Sequence, residues 1–258
     1  MPDQLTIHLC QSDPSWQSPQ KSLCRLDELT AGLQTDLLVL PEFFSTGFTM
    51  DARFAEPQEG STLTWMRATA KRIQGAVAGS IPVQEEGRYY NRLYFCKPDG
   101  SQAHYDKKHI FSIGNESQTY SPGSAAPIVQ WRGWRIRLST CYDLRFPVWL
   151  RNRHLEYDLL LNVASWPGSR IRTANLLNQA RSIENQCYTV FCNRFGEEPE
   201  LSYSGGSCIV DFKGEHIIPP QYDTPGLLSA TVAMEPLLRF REKFPVWKDQ
   251  DDFTLTSQ

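Results

Sequence analysis

Three short segments carry chemically reactive side chains directly after predicted strands. They are Glu42 in LPEFFSTGF (40–48), Lys107 and Lys108 in YDKKHIF (105–111), and Cys141 in RLSTCYDLRFPVWLRN (137–152). A carboxylate, an ammonium and a thiol are the groups that acyl hydrolysis needs as proton shuttle, oxyanion donor and nucleophile. Each segment alone is weak evidence. Together, in this order, the three segments predict one catalytic site with a glutamate, a lysine and a cysteine.

Glu42 follows the apolar run DLLVL (36–40) by two residues. We therefore expect it at the carboxyl end of a buried strand, where ligand clefts form in α/β sheets. An isolated glutamate is most often a solvated loop residue. Here the neighbours are a proline and three aromatic residues, Pro41, Phe43, Phe44 and Phe48. A carboxylate among such side chains is shielded from water, which suits it to general-base work.

The lysine segment follows a predicted strand over 101–106. Two adjacent lysines usually form a solvated surface. These two lie between Tyr105 and the apolar pair Ile110 and Phe111, and a lysine held beside an active site can donate to a developing oxyanion. The residues alone do not choose between Lys107 and Lys108.

Cys141 is one of seven cysteines and follows the alternating strand pattern of residues 134–140. Pro147 is well placed to open a helix, so Cys141 is expected on a strand-to-helix turn near free backbone N–H groups. Four other cysteines lie in or beside predicted strands and are expected to be small buried hydrophobic residues: Cys10, Cys187, Cys192 and Cys208. The odd number and the absence of CxxC spacing argue against disulfides and structural zinc, and favour a reducing cytoplasm.

Composition excludes several classes of protein. The chain has 258 residues, 26 Lys+Arg and 29 Asp+Glu, which gives a net charge of −3 and argues against a nucleic-acid partner. No apolar run approaches the roughly 18 residues of a membrane span, and the N-terminus lacks a signal-peptide pattern. We therefore expect a cytoplasmic protein that contacts neither nucleic acid nor membrane.

Hydrophobic periodicity predicts strands that alternate with helices, which is typical of an α/β protein. Helices are predicted over 19–33, 61–74 and 171–185. Strands are predicted over 5–9, 36–40, 76–83, 90–96, 101–106, 134–140, 158–163, 188–193 and 227–232, with a hairpin over 207–217. No linker interrupts the pattern, so residues 1–258 are expected to form a single domain.

The chain resembles the nitrilase superfamily of carbon–nitrogen hydrolases from about residue 5 to its C-terminal region. The family's Glu, Lys and Cys motifs match LPEFF, YDKKHIF and STCYDLRFP. In the family the catalytic lysine stands two residues before a histidine, which selects Lys107 because His109 follows it. A second family glutamate matches Glu116 in NESQTYSPG. Further matches are ARSIENQCYTVFCNRFG (180–196) and SGGSCIVDFKGE (204–215).

The resemblance implies a four-layer α-β-β-α sandwich that commonly forms a homodimer through one helical face. It also implies a catalytic set of Glu42, Lys107, Cys141 and Glu116, with no metal and no organic cofactor. The segments CYDLRFPVWLRN and RFREKFPVWKDQDDF (239–253) look most like the bacterial omega-amidase branch, which hydrolyses 2-oxoglutaramate and related small amides such as succinamate. One departure is Asp106, where many relatives carry arginine before the lysine.

The implied reaction assigns a role to each residue. Cys141 attacks the amide carbon and Glu42 carries the proton, while Lys107 and the backbone N–H of Tyr142 stabilise the oxyanion. Glu116 either holds Lys107 or orients the substrate amine. An omega-amide also carries a distal carboxylate, for which Arg145 and Arg170 are the candidates. Aromatic walls are expected from Phe43, Tyr142 and Trp166.

Three alternatives remain open at this stage. A nitrilase or an N-carbamoyl amidase would use the same three residues with a different pocket. A papain-like protease would need a histidine as base, but the family signature around its cysteine is absent, so His109 is expected to support the lysine loop. A binding protein on the same fold would have a silent site.

Overall fold

The computed structural model of the chain describes residues 3–255. The strands in chain order are β1 (Gln4–Gln11), β2 (Leu37–Val39), β3 (Glu56–Pro57), β4 (Ala76–Glu85), β5 (Arg88–Cys96), β6 (Gln102–Asp106), β7 (Ile128–Trp131), β8 (Trp134–Thr140), β9 (Leu159–Ala164), β10 (Tyr188–Asn193), β11 (Phe195–Glu198), β12 (Leu201–Val210), β13 (His216–Tyr222) and β14 (Gly226–Ala233). The α-helices are α1 (Pro19–Leu29), α2 (Ser61–Ile73), α3 (Ile171–Asn185) and α4 (Met234–Lys243).

The strands form two sheets of seven. The first has the order β14-β1-β2-β4-β5-β6, with β3 beside β4, and the second has the order β11-β12-β10-β9-β8-β7, with β13 beside β12. Strands β1, β2 and β4 are parallel to one another, and so are β8, β9 and β10. The outer strands pair antiparallel, except β3, which pairs parallel with β4. Each sheet therefore has a parallel centre, as its alternation with helices predicts.

The two sheets face each other across the main core. Because side chains alternate along a strand, one face of each sheet supplies this core. The first sheet contributes Leu5, Ile7, Leu9, Leu37, Val39, Ala76, Ala78, Leu93 and Phe95, and the second contributes Ile136, Leu138, Leu159, Leu161, Val163, Val190, Cys192 and Ile209.

The helices cover the outer faces of the sheets. Residues Leu63, Met66, Ala70 and Ile73 recur at helical spacing on α2 and pack with Leu26 of α1 on the first sheet. Helix α3 packs on the second sheet through Ile171 and Ala174. The layers are thus α-β-β-α, which confirms the predicted sandwich. The single core between the sheets supports the expectation of one domain, which stays a prediction.

Two predicted helical features are wrong. Helix α1 ends at Leu29, which is 37% exposed, instead of continuing to Gly32. No α-helix opens at Pro147. Residues Cys141–Arg145 form a 3₁₀-helix instead, whose N-terminal end is capped by Thr140 and Asp143. The residue before a proline is pushed out of the helical region, and Phe146 has φ −112° and ψ 87°.

The candidate catalytic residues lie at strand ends on one side of the sandwich. Lys107 directly follows β6, Cys141 directly follows β8, and Glu42 comes three residues after Val39, the last residue of β2. Ser165 directly follows β9 and contacts Glu42 across the gap between the sheets. The carboxyl ends of strands from both sheets therefore meet at one site.

The seven cysteines are all free thiols. Cys10, Cys187, Cys192 and Cys208 are fully buried, as predicted, and Cys96 is buried too. Cys24 is exposed and Cys141 is partly exposed. Within residues 3–255, we find no helix with both the length and the apolar character that crossing a membrane requires.

Candidate active site

Glu42 is a fully buried carboxylate held by three donors. Its Oε1 accepts from Lys107 Nζ at 2.8 Å and from Asn91 Nδ2 at 2.7 Å. Its Oε2 accepts from the backbone N–H of Ser165 at 2.8 Å, and the Ser165 hydroxyl donates to the Glu42 carbonyl at 2.9 Å. Residues from both sheets therefore fix the orientation of this carboxylate.

Lys107 is fully buried between two carboxylates. Its Nζ lies 2.8 Å from Glu42 Oε1 and 2.8 Å from Glu116 Oε2, with Glu116 Oε1 at 3.0 Å. Burial alone would lower the pKa of the ammonium, but the charges of Glu116 and Glu42 outweigh it, and the pKa of Lys107 is raised. Lys107 is therefore a permanent positive charge at neutral pH.

The two oxygens of Glu116 accept four hydrogen bonds from three donor groups. Lys107 Nζ donates to both oxygens, Asn91 Nδ2 donates to Oε1 at 3.0 Å, and the Phe111 N–H donates to Oε2 at 2.7 Å. Burial raises the pKa of Glu116, Lys107 lowers it and Glu42 raises it again, and the net direction is upward. A carboxylate offers about four acceptor positions, so Glu116 has none left for a reacting proton.

Cys141 starts the 3₁₀-helix with a left-handed backbone, φ 44°. This conformation is costly for a residue with a Cβ and is concentrated at functional sites. Burial raises the pKa of the Cys141 thiol, and the neighbouring Glu42 charge raises it further, while Lys107 acts in the opposite sense. The thiol is therefore protonated in the free enzyme, and its activation needs a base.

Asp143 ties the lysine segment to the cysteine turn. Its Oδ1 accepts from the backbone N–H of His109 at 3.0 Å and lies 2.8 Å from His109 Nδ1. Its Oδ2 accepts from the Thr140 N–H at 2.9 Å and from the Tyr105 hydroxyl at 2.7 Å. The His109 ring also stacks on Phe146 at 3.6 Å. His109 thus lies where a support for the lysine loop was expected.

A cavity of about 720 Å³ opens above Lys107 and Cys141. Besides Lys107, four of the predicted substrate-contacting and oxyanion residues line it, namely Tyr142, Arg145, Trp166 and Arg170. Its other lining residues include Trp16, Phe48, Met50, Phe111 and Ser165. The cavity is therefore mostly apolar with a few polar groups, as expected of a small-molecule site.

Arg145 and Arg170 are exposed guanidinium groups on this cavity wall. Arg145 lies over the Trp166 ring at 5.0 Å, and Arg170 lies over the Phe111 ring at 5.7 Å. The arginines that form ion pairs within residues 3–255 are others. Both guanidinium groups are thus left to meet an anion in the cavity.

Phe43 does not form a wall of the cavity, contrary to expectation. Its backbone is left-handed, φ 48°, and its N–H donates to Ser80 Oγ at 3.1 Å. This turn directs the ring into the interior, against Phe48 at 5.8 Å and Tyr120 at 5.2 Å. Phe48 lines the cavity instead, 5.5 Å from Lys107 Nζ.

Glu198 fixes the position of Phe48, and sequence reasoning missed it. Its Oε1 accepts from the Phe48 N–H at 2.7 Å, and its Oε2 accepts from the Tyr203 hydroxyl at 2.8 Å. The buried Arg194 guanidinium pairs with the same carboxylate. Nothing local in the sequence signals this contact, because it joins segments 150 residues apart.

Asp106 was expected to change the charge beside Lys107. The structure pairs its carboxylate with Arg92, at 2.7 Å to Nε and 2.9 Å to Nη2. Arg92 lies directly opposite Asp106 in the register of β5 and β6. The Asp106 carboxylate is therefore paired with a guanidinium on the neighbouring strand, which also pairs with Glu85.

Asn91 and Ser165 also contact Glu42 and were not predicted from the sequence. The only signal for Asn91 was a polar residue at the head of a predicted strand, and Ser165 had none. Within residues 3–255, no group of three or more His, Cys, Asp or Glu side chains is arranged to hold a metal ion. The expectation that no metal or cofactor is needed stays a prediction.

Comparison with known proteins agrees with this geometry. The carbon-nitrogen hydrolase family model matches residues 6–241. The omega-amidase YafV of Escherichia coli K12 is 39% identical over 97% of this chain and 98% of its own length. The 2-oxoglutaramate amidase of Bacillus subtilis is 30% identical over 95% of this chain and 96% of its own. Among solved structures, XC1258 of Xanthomonas campestris, a CN-hydrolase superfamily protein with an arsenic adduct in its active site, has a TM-score of 0.96 and 37% identity, covering 98% of this chain and 99% of its own. The chain belongs to the carbon-nitrogen hydrolase family.

Proposed function

We propose that this protein is an omega-amidase, which hydrolyses the terminal amide of a small carboxylate-bearing amide such as 2-oxoglutaramate or succinamate. One observation carries the proposal. The cavity that exposes Lys107 and Cys141 also presents Arg145 and Arg170, two cations available for a distal carboxylate. The names of the relatives from Escherichia coli and Bacillus subtilis support the same substrate class.

The reaction begins with proton transfer from the Cys141 thiol to Glu42. Glu42 Oε1 already has two donors and Oε2 has one, from Ser165. One acceptor position on Oε2 therefore remains for the thiol proton. As the proton leaves, Cys141 Sγ attacks the amide carbon and forms a tetrahedral intermediate.

The oxyanion of this intermediate meets two donors. One hydrogen of the Lys107 ammonium bonds Glu42 and one can be shared by the two oxygens of Glu116, which leaves the third for the oxyanion. The backbone N–H of Tyr142 lies in the first turn of the 3₁₀-helix, where N–H groups have no acceptor within the helix. Such donors are typically worth about 10²–10³ in turnover each.

Collapse of the intermediate breaks the C–N bond. Glu42 returns its proton to the leaving nitrogen, ammonia departs, and a thioester remains on Cys141. Glu42 then removes a proton from water, the resulting hydroxide attacks the thioester, and the proton returns to the thiolate as the acid leaves. Glu116 acts as the anchor of Lys107 in both steps, because its acceptor positions are filled.

We also propose a cytoplasmic setting and a homodimer, each supported by one observation. Seven free thiols, one of them the nucleophile, suit a reducing cytoplasm. Helix α3 leaves Leu176 57% exposed and Ile183 53% exposed, which suits a homodimer formed through this helical face. Light scattering on the purified protein measures the assembly directly.

A substrate panel tests the proposed function. Ammonia release is measured with succinamate, 2-oxoglutaramate, an aliphatic nitrile and an N-carbamoyl amino acid. We expect turnover of the first two. Ammonia from the nitrile or the carbamoyl compound, with none from the two amides, would replace the proposal with one of the related activities that use the same three residues.

A further inference from the structure

We propose that Asn91 is a positioning residue that reserves the base role for Glu42 by filling acceptor positions on both carboxylates of the site. This inference rests on the proposed function, because it concerns which carboxylate takes the proton of Cys141. Asn91 itself lies outside the cavity lining, so it acts through Glu42 and Glu116.

The Asn91 amide bridges the two carboxylates. Its Nδ2 donates to Glu42 Oε1 at 2.7 Å and to Glu116 Oε1 at 3.0 Å, and the side chain is fully buried. An amide nitrogen has two hydrogens, and both are used here. The reverse orientation would point the amide oxygen at two carboxylates, so this amide has one allowed orientation. Its Oδ1 has no partner within the described residues, a cost that the two charge-assisted bonds offset.

Counting acceptor positions explains the consequence. With Asn91 present, Glu116 accepts four hydrogen bonds, two of them from Lys107, whereas Glu42 accepts three and keeps one acceptor position open. Without the amide, Glu116 regains one free acceptor position on Oε1, and Glu42 loses one of its three hydrogen bonds. A free acceptor position for the thiol proton then exists on both carboxylates.

The backbone of Asn91 is anchored to the lysine it serves. The Lys107 N–H donates to the Asn91 carbonyl at 3.0 Å. Arg92 follows Asn91 in β5, and Asp106, the last residue of β6, precedes Lys107. These two neighbours form an ion pair with two hydrogen bonds across the strands. Asn91 and Lys107 therefore approach Glu42 as one unit whose register is fixed.

Other titratable groups near Glu42 and Glu116 could also contribute to the pH dependence of activity. They are Lys107, Cys141, Tyr120 and Tyr203. Burial raises the pKa of both tyrosines, and the carboxylates reinforce this, so neither tyrosine titrates in acid. The acid limb of kcat/KM, which reports the free enzyme, is therefore not set by these tyrosines.

The test compares Asn91→Leu and Asn91→Ala with wild type on succinamate between mildly acidic and neutral pH. Both variants remove the amide without adding charge, and folding is checked by circular dichroism, so either one that folds decides the outcome. We expect the acid limb of kcat/KM to move upward by about one pH unit, because a bond to a charged group is lost. We also expect kcat to fall about tenfold at neutral pH, with a smaller change in KM.

Asn178→Ala is the matched control. Asn178 is also fully buried with an unpartnered Oδ1, but its Nδ2 contacts Cys208 Sγ instead of a carboxylate. We expect its acid limb to match wild type. A folded Asn91 variant whose acid limb does not move would overturn the inference, even if its activity fell. Inactivity of wild type and Asn178→Ala towards every amide would instead overturn the proposed function.

Discussion

Lys107 Nζ and Glu42 Oε1 lie 2.8 Å apart, and neither side chain is exposed to solvent. Glu116 Oε2 lies at the same distance from the ammonium. Three charged side chains thus lie together, shielded from solvent, where an unpaired charge is far more costly than at the surface. The positive group of the site is therefore also part of what stabilises the fold around it.

Replacement of Lys107 by methionine should affect both activity and stability. Two buried carboxylates lose their common counter-ion, and removing one partner of a buried pair typically costs about 3–5 kcal/mol. Turnover should fall about 10²–10³-fold through loss of the oxyanion donor. Ammonia release and urea unfolding measure the two effects.

Lys108→Met is the control for this variant. Lys108 is half-buried and lies over the Trp149 ring at 5.6 Å, a contact worth about 0.5–1 kcal/mol. Equal losses in the Lys107 and Lys108 variants would contradict the assignment of Lys107.

Alkylation of Cys141 should depend on pH in a defined sense. Burial and Glu42 raise the pKa of this thiol above its ordinary value of 9.0, so the thiolate fraction should not level off below that pH. In a Cys24→Ser background, which removes the exposed thiol, inactivation by iodoacetamide should keep accelerating through pH 9, because the thiolate fraction rises with pH until the pH exceeds the pKa. Peptide mapping should place the label on Cys141. A rate that levels off below pH 8 would show a low-pKa thiolate and contradict the raised pKa.

His109→Ala should weaken the enzyme without abolishing its chemistry. His109 reaches the site through Asp143, which also holds Thr140 and Tyr105, and through its stacking on Phe146. Loosening this link should lower kcat by about tenfold, while the thioester still forms. A folded His109→Ala variant that makes no acyl-enzyme would instead favour a cysteine–histidine mechanism.

Replacement of Arg145 or Arg170 by methionine should act on substrate binding. Loss of a charge-assisted contact to the distal carboxylate should raise KM for succinamate about tenfold or more. An uncharged amide of similar length, such as butyramide, provides the comparison. Its KM should change little, and equal effects on the two substrates would show that neither arginine recognises the carboxylate.

The sequence was sufficient where a property depends on local pattern. Apolar runs ending before Glu42 and Cys141 placed both at strand ends, because strand period and burial are readable over a few residues. The alternation of strands and helices predicted the layers. The choice of Lys107 over Lys108 came from resemblance, and burial gives it a physical basis, since Lys107 is fully buried and Lys108 is not.

Features that depend on long-range contacts or single backbone angles were not predictable. Phe43 has a left-handed backbone and lies outside the cavity wall, where Phe48 lies instead. Pro147 suggested an α-helix, but residues Cys141–Arg145 form a short 3₁₀-helix. Asp143 caps its first turn and is held by His109 and Tyr105, which lie far away in the sequence. Glu198 acts across 150 residues.

The acyl-enzyme itself provides the most direct test of the mechanism. Wild type and Glu42→Gln are mixed with succinamate, quenched in acid, and analysed by intact-mass and peptide mass spectrometry. We predict an added succinyl group, formed with loss of ammonia, on Cys141 of wild type, and much slower turnover with Glu42→Gln. Steady turnover by wild type with no adduct on Cys141, or an adduct on another residue, would contradict the assignment of Cys141 as nucleophile.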